Sequence, residues 1–328
     1  MSDIASLAEV RELSVRFVGR EETIHAVNGV SFTVMPGEVL CILGESGSGK
    51  TVTLRALMRL LPAHRAVIEG SVRVAGRDVL ALPPRALRDL RGGLVAMVFQ
   101  EPMTALDPVY TIGHQIIETV RRHTGVDHHA ARARALELLE LVRIPSAAQR
   151  LRAYPHELSG GLRQRAMIAM ALSCKPRLLL ADEPTTALDA TVQVQILILL
   201  RGLQRELGMG MIFVTHDLGV AAEIADRVAV MYAGRIVESG PVARLLRAPA
   251  HPYTAGLLAS TVHGQPRGHD IAAIPGSPPD LRHLPPGCSF ALRCPRRLLA
   301  CTATLPQPRF PEPDHMAACL AVPAPPVS

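Results

Sequence analysis

A chain of 328 residues, 48% hydrophobic and 20% charged, has the composition of a globular protein with a real core, which excludes a disordered one. The formal net charge of +6 raises nucleic acid or an anionic membrane surface as a partner, yet the basic residues are spread along the chain without a run of about five and without interleaved aromatics, which is the pattern of a solvated arginine-rich surface. No apolar stretch approaches the roughly eighteen residues of a membrane-spanning helix, the longest clean run being Ala166 to Cys174.

In chain order, the opening MSDIASLAEVREL carries acids early and shows no basic-then-apolar leader, so a cytosolic, thiol-reducing setting is expected. Residues up to about Gln100 read as strands and turns around one helix. Val39 to Leu43 is a short apolar run of the buried-strand type, GESGSGKT follows at Gly44 to Thr51, and Thr53 to Leu61 reads as a helix stopped by Pro62. The pattern G-x-x-x-x-G-K-[ST] between strand and helix is a phosphate-binding loop. Its backbone N–H groups, from Gly44, Glu45, Ser46, Gly47, Ser48 and Gly49, point into one concavity, and glycine is needed where the backbone approaches phosphate closely. The chain has 33 arginines and only two lysines, and one of these, Lys50, lies where it reaches β- and γ-phosphates. Thr51 beside it is a Mg²⁺ ligand in this arrangement.

The segment from Met103 to Pro155 is rich in helix formers, with ARARALELLELVR at Ala131 to Arg143 the strongest helix. His123, His128 and His129 within it read as solvated surface residues. In LSGGLRQR, Leu158 to Arg165, a Ser-Gly-Gly precedes an apolar helix over Ala166 to Leu172, and a helix start with free N–H groups and a hydroxyl is a second anion site. LLLADEP, Leu178 to Pro184, is an apolar strand ending in two carboxylates, Asp182 placed to hold Mg²⁺ and Glu183 to polarise an attacking water. A third buried-type strand, from Met211, ends at His216, where it can contact a γ-phosphate. Alternating strand and helix here imply a parallel sheet, and Val228 to Gly240 reads as a hairpin turning at Ala233-Gly234.

Beyond Gly240 the composition changes. Seventeen of the 27 prolines lie there, so this extension is loop-rich and too proline-dense for long helices. It also holds four of the six cysteines, Cys288, Cys294, Cys301 and Cys319, separated by five, six and seventeen residues. Structural zinc sites use tight C-x₂₋₄-C pairs, which these are not. The spacing leaves open an iron–sulfur cluster, a zinc ion or four unliganded thiols. Cys41 and Cys174 lie in apolar contexts and read as small core residues.

LSGGLRQR is similar to the signature motif of ATP-binding cassette ATPases. Gln100 in VFQEP resembles that family's Q-loop, TTALD at Thr185 to Asp189 its D-loop, His216 its switch histidine, and Phe17 the aromatic residue that stacks on adenine. The resemblance covers Leu13 to about Gly240. It implies an α/β P-loop cassette over residues 1–240 with a helical subdomain inserted at about 103–170. It implies ATP and Mg²⁺ as cofactors, with Thr51, Gln100 and Asp182 on the metal and Glu183, His216 and Gln100 in catalysis. Two cassettes of the family pair head to tail, which implies that Ser159, Gly160, Gly161, Gln164 and Asp189 serve the nucleotide of a second cassette. The RAPAHPYTAGLL stretch and the cysteine tail resemble the C-terminal extension, here 241–328, of oligopeptide and dipeptide import ATPases, parts of which nickel importers share. This implies a 4Fe–4S cluster on the four tail cysteines, with zinc as the second choice. It also implies a non-identical partner cassette, two permease subunits, an extracytoplasmic peptide-binding protein, and a peripheral place on the cytoplasmic face of the membrane. A soluble cassette of DNA repair or translation is the competing reading. The single cassette and the lack of heptads argue against it, as the intact Lys50, Asp182, Glu183 and His216 argue against an iron–sulfur sensor with a vestigial ATPase.

Overall fold

Apolar residues near every second position build the first strands. In the computed structural model, which describes residues 6–260 and 273–322, these are β1 (Ala8–Val18) and β2 (Thr23–Val34). Glu12, at φ 47°, steps the alternation of β1 between Val10 and Leu13, both buried. β3 (Val39–Leu43) is buried at all five positions, as its unbroken apolar run requires. The helix after the loop, α1 (Lys50–Leu57), begins three residues before the predicted start, because left-handed Gly49 serves as its N-cap. It also ends early, at Leu57, with Arg59 just beyond at φ 50°. Next come β4 (Ala66–Val74), β5 (Arg77–Asp78), α2 (Pro84–Gly93) and β6 (Val95–Val98).

The predicted helical stretch contains α3 (Pro102–Ala105), α4 (Ile112–Thr124), α5 (His128–Leu141) and α6 (Ala147–Arg150). Thr111 and Asp127 start α4 and α5 by accepting the backbone N–H groups of His114 and Ala130, and left-handed Gly125 ends α4. Then follow α7 (Gly160–Ala171), β7 (Leu178–Asp182), α8 (Ala190–Leu207), β8 (Gly210–Thr215) and α9 (Leu218–Ile224). β9 (Arg227–Tyr232) and β10 (Arg235–Pro241) form the expected hairpin, with Ala233 at φ 47° and Gly234 at φ 79°, the pair of positive φ values of a two-residue turn matched to strand twist. The extension holds α10 (Val242–Arg247), α11 (Pro252–Ala259), β11 (Arg309–Glu312) and β12 (His315–Ala317). No helix there exceeds eight residues among the described ones, as its proline density predicts.

The chain divides into two compact units that interleave in sequence. One holds residues up to Ala8, Val34–Glu38 and Val74–Phe213; the other holds Glu9–Thr33, Val39–Arg73 and the chain from Val214. In the first unit, β6 and β7 run parallel with Val95 opposite Leu178 and Val98 opposite Ala181, both strands buried throughout. Ala131, Ala135, Leu138 and Leu139 form the buried face of α5. In the second unit the strand order β11-β12-β10-β9-β3 joins the P-loop strand to the tail. β3 is parallel to β9, and Glu238 and Ser239 of β10 pair with Ala317 and Met316 of β12.

One buried carboxylate ties the extension into that unit. Glu238 is 0% exposed and accepts from the backbone N–H of Ala250 at 2.7 Å and of His251 at 3.0 Å, with His315 Nε2 at 2.6 Å. His251, 1% exposed, accepts the Tyr253 N–H on its Nδ1, which fixes that nitrogen as unprotonated, and burial lowers the ring from the usual 6.5 to about 4. The unfolded chain therefore binds this proton near pH 6.5 while the folded chain refuses it until about pH 4. Stability is fully present above the window and falls as pH drops through it, by up to about 3 kcal/mol. Thermal unfolding of wild type should weaken more between pH 7 and 4.5 than that of His251→Asn, which keeps an N-cap acceptor; matching pH profiles would contradict the role given to His251.

Candidate functional site

The phosphate-binding loop is shaped by close backbone approach. A Cβ on Gly44 would stand 2.2 Å from the Met231 carbonyl oxygen, and one on Gly49, at φ 105°, 2.4 Å from that of Ala26. Both motif glycines are pressed against neighbouring strands of the same unit, which leaves room for no side chain. Gly47, at φ 77°, has open space around it and needs glycine for its dihedral alone. Lys50 is 4% exposed, and its Nζ donates to the carbonyls of Gly44 at 2.7 Å and Glu45 at 2.9 Å. Ser48 Oγ is buried without a hydrogen-bond partner among the described residues, a hydroxyl inside the loop that a phosphate oxygen would satisfy. Ser46 is exposed and Thr51 half-buried at the second position of α1. In the same unit, Phe17 is half-buried on β1, and His216 is exposed directly after β8, ahead of the Asp217 that caps α9.

The first unit carries the remaining predicted residues. Asp182, 2% exposed, ends β7. Glu183 follows at φ 45°, a left-handed conformation that non-glycine residues rarely adopt, and this turns the chain at once at the strand's carboxyl end. Thr186 Oγ1 donates to Glu183 Oε2 at 3.0 Å. Gln100 is exposed just past β6, on the parallel neighbour of β7.

α7 starts at Gly160 with Ser159 as its N-cap, so the glycines open the helix, six residues before the predicted start, instead of preceding it. Ser159 and Gly160 are exposed, and the Ser159 side chain caps no backbone N–H, so it does not occupy the first-turn N–H groups. A Cβ on Gly161 would stand 2.8 Å from Val192 Cγ1, so this glycine lets α7 lie against the start of α8. Asp189, exposed, caps α8 by accepting the Val192 N–H at 2.9 Å. Gln164 differs in burial: at 1% exposure it lies inside the unit. Gln164 is the fifth residue of α7 and is one of the residues that this helix buries.

All six cysteines are free thiols. Cys41 is fully buried in β3 and Cys174 half-buried, and burial raises both. In the tail, the Cys288 N–H donates to the Cys301 carbonyl at 2.8 Å, and a Cβ on Gly287 would come within 2.3 Å of that oxygen, which explains the glycine of GCSF. Cys288 and Cys294 are raised by burial first and then by the charges of the other tail thiols, so the four share one neighbourhood. Yet among the described residues no three His, Cys, Asp or Glu side chains are placed to hold a metal ion, so the donor set suits the expected metal centre while the present geometry does not form it. His128 and His129 are exposed, and His123 lies against Gly92. Sequence reasoning missed what two residues do: Arg293 and Tyr253, both from the extension, bond to Glu45 of the glycine-rich loop. Tyr253 lies in the RAPAHPYTAGLL stretch, but no local pattern connects either residue to that loop.

Residues 27–186 match the protein family described as ABC transporter, and residues 237–301 match the oligopeptide/dipeptide transporter, C-terminal region. The chain is 46% identical over 311 residues to the dipeptide transport ATP-binding protein DppD of Bacillus subtilis, covering 94% of this chain and 93% of that protein. It is 48% identical over 295 residues to the oligopeptide transport ATP-binding protein OppD of the same organism, covering 89% and 82%. Among solved structures, the dimeric post-hydrolysis state of the ATP-binding cassette MJ0796 bound to ADP and Pi is similar with a TM-score of 0.64 and 29% identity, over 72% of this chain and 98% of that one.

The two kinds of loop glycine separate in a stability measurement. Gly49→Ala meets both a left-handed φ and a fixed carbonyl, and should lose about 3 kcal/mol or more. Gly47→Ala meets only the dihedral and should lose about 1 kcal/mol. Urea unfolding that ranks the two equally would show that the close approach to Ala26 is not tight.

Proposed function

Because the chain belongs to the ATP-binding cassette family of transporter ATPases and carries the C-terminal region of oligopeptide and dipeptide transporters, we propose that it is the ATP-hydrolysing subunit of a peptide importer. The observation that carries this reading is the continuity of the match, which runs through the phosphate loop and the acidic strand end and on into the extension. In this reading the cassette occupies 1–240, with its helical subdomain at about 103–170, and the extension 241–328.

The residue roles follow from the chemistry. The loop from Gly44 to Thr51 holds the phosphates of ATP, with Lys50 leaving its carbonyl partners for the β- and γ-phosphates, and Phe17 stacks on adenine. Thr51, Asp182 and Gln100 would hold Mg²⁺, which would supply positive charge against the phosphate oxygens. Glu183 takes a proton from water as the water oxygen bonds to the γ-phosphorus and the bond to the ADP oxygen breaks. His216 contacts the γ-phosphate. Ser159, Gly160, Gly161, Gln164 and Asp189 serve the nucleotide of a second, non-identical cassette; the exposed start of α7, with no side-chain cap, supports this. Among the described residues no helix is long and apolar enough to cross a membrane. In this reading two permease subunits supply the membrane path, an extracytoplasmic binding protein delivers peptide, and this chain sits on the cytoplasmic face. Nucleic acid has no part in this reading.

The tail cysteines take a 4Fe–4S cluster in the same reading. Support comes from four thiols in one neighbourhood of a proline-rich segment that lacks a large core of its own.

Two experiments test these roles. Glu183→Gln should cut ATP turnover of the assembled transporter by about 10²-fold or more while ATP binding survives; turnover near wild type would remove Glu183 from the proton step. Protein purified without oxygen should be brown, with about four irons per chain, and lose its colour in Cys294→Ser. One zinc per chain would replace the cluster by the second choice, and neither metal would end the idea.

A further inference from the structure

The cysteine-bearing extension reaches directly into the phosphate loop. Arg293, between Cys288 and Cys294 of the tail and only 6% exposed in its side chain, forks onto the Glu45 carboxylate, with Nη1 to Oε2 at 2.8 Å and Nη2 to Oε1 at 3.0 Å. Its other donors are also engaged: Nε to the Pro275 carbonyl at 2.9 Å, Nη1 to Tyr232 Oη at 3.2 Å and Nη2 to the Ile274 carbonyl at 3.4 Å. The guanidinium carbon lies 5.8 Å from the Tyr232 ring centre and 5.9 Å from that of Phe290. A bidentate arginine so enclosed has one available position, and it transmits that position to Glu45. Tyr253, fully buried and tilted against Tyr232 and Phe290, accepts the Glu45 backbone N–H at 3.0 Å.

Both the side chain and the amide of Glu45 are thus held from the extension. The carbonyls on either side of that amide, Gly44 and Glu45, are the ones that hold Lys50 Nζ. Glu45 is also a carboxylate inside a loop shaped for phosphate, and it repels an anion unless its charge is compensated. Arg293 supplies the compensation.

We infer that Arg293 and Tyr253 are positioning residues for nucleotide, a clamp by which the extension sets the Glu45 peptide, and through it Lys50, for ATP. This rests on the reading of Gly44 to Thr51 as the ATP site. It makes the extension part of that site, and it makes the conformation of the cysteine segment a determinant of ATP affinity.

The test is titration of the full-length chain with a fluorescent ATP analogue and Mg²⁺, with circular dichroism recording folding. Arg293→Ala should raise Kd about tenfold with the fold retained, Arg293→Lys should lie between it and wild type, and Tyr253→Phe, which deletes one hydroxyl, should raise Kd about threefold. Because Arg293 acts through Glu45, the double variant Arg293→Ala/Glu45→Ala should bind no more weakly than Arg293→Ala alone. A Kd for Arg293→Ala within twofold of wild type would overturn the clamp. So would a loss in the double variant equal to the product of the two single losses. If Arg293→Ala does not fold, Arg293→Lys and Tyr253→Phe decide: wild-type affinity in both would overturn it. Lys50→Ala separates the two readings, since wild-type binding by that variant would reject the ATP site itself whatever Arg293 does.

Discussion

The amide between Gly44 and Glu45 is held from three sides, and the nucleotide site depends on it. Tyr253 accepts its N–H, Lys50 donates to its Gly44 carbonyl and to the next carbonyl at Glu45, and Arg293 donates to the Glu45 carboxylate. Each of these bonds is ordinary alone, about 1 kcal/mol for a neutral pair and more where charge assists. Together they fix the Gly44–Glu45 peptide, and with it the place from which Lys50 turns to a phosphate. The glycines complete the constraint, because Gly44 and Gly49 leave no space for a Cβ between the loop and the strands behind it.

The same logic explains why a protein with so proline-rich a tail keeps that tail folded. Among its described residues the tail has a small apolar cluster around Ala317, Cys319 and Val322, and Tyr253 packs on Phe290. What fastens it is polar and buried: Glu238 gathering Ala250, His251 and His315, and Arg293 gathering Glu45, Tyr232 and Pro275. A buried charge with all its partners in place is tolerated, and one that loses a partner is costly. The arrangement is therefore close to all-or-none, which suits a segment that must hold a phosphate loop in one conformation.

What was legible in the sequence was local. The strand-loop-helix of the phosphate site, the Asp182-Glu183 strand end and the Ala233-Gly234 hairpin each declare themselves within about a dozen residues, because turn chemistry and periodicity act over that range. Helix starts were less legible. Lys50 and Gly160 open their helices earlier than apolar periodicity suggests, since a left-handed Gly49 and an N-capping Ser159 set those starts rather than the pattern. Gln164 takes its expected role from its motif, and its burial within the unit is not marked by any local pattern. The left-handed Glu183 left no mark in the sequence, because the strain belongs to the turn that aims the carboxylate. Arg293 and Glu45 are 248 residues apart, and no pattern of residue types connects one arginine among 33 to one glutamate. The tail reads as a proline-rich extension, and its ion pair to Glu45 and its strand beside β10 make it part of the unit that carries the loop.

The central claim, that ATP hydrolysis on this chain drives peptide uptake, is tested most directly by ATP turnover in the complete membrane complex reconstituted in lipid vesicles with its binding protein. Turnover should rise severalfold when di- or oligopeptide is added outside, together with peptide accumulation inside, and should not respond to free amino acids or nickel. Turnover indifferent to peptide, or stimulated by nickel alone, would contradict the account.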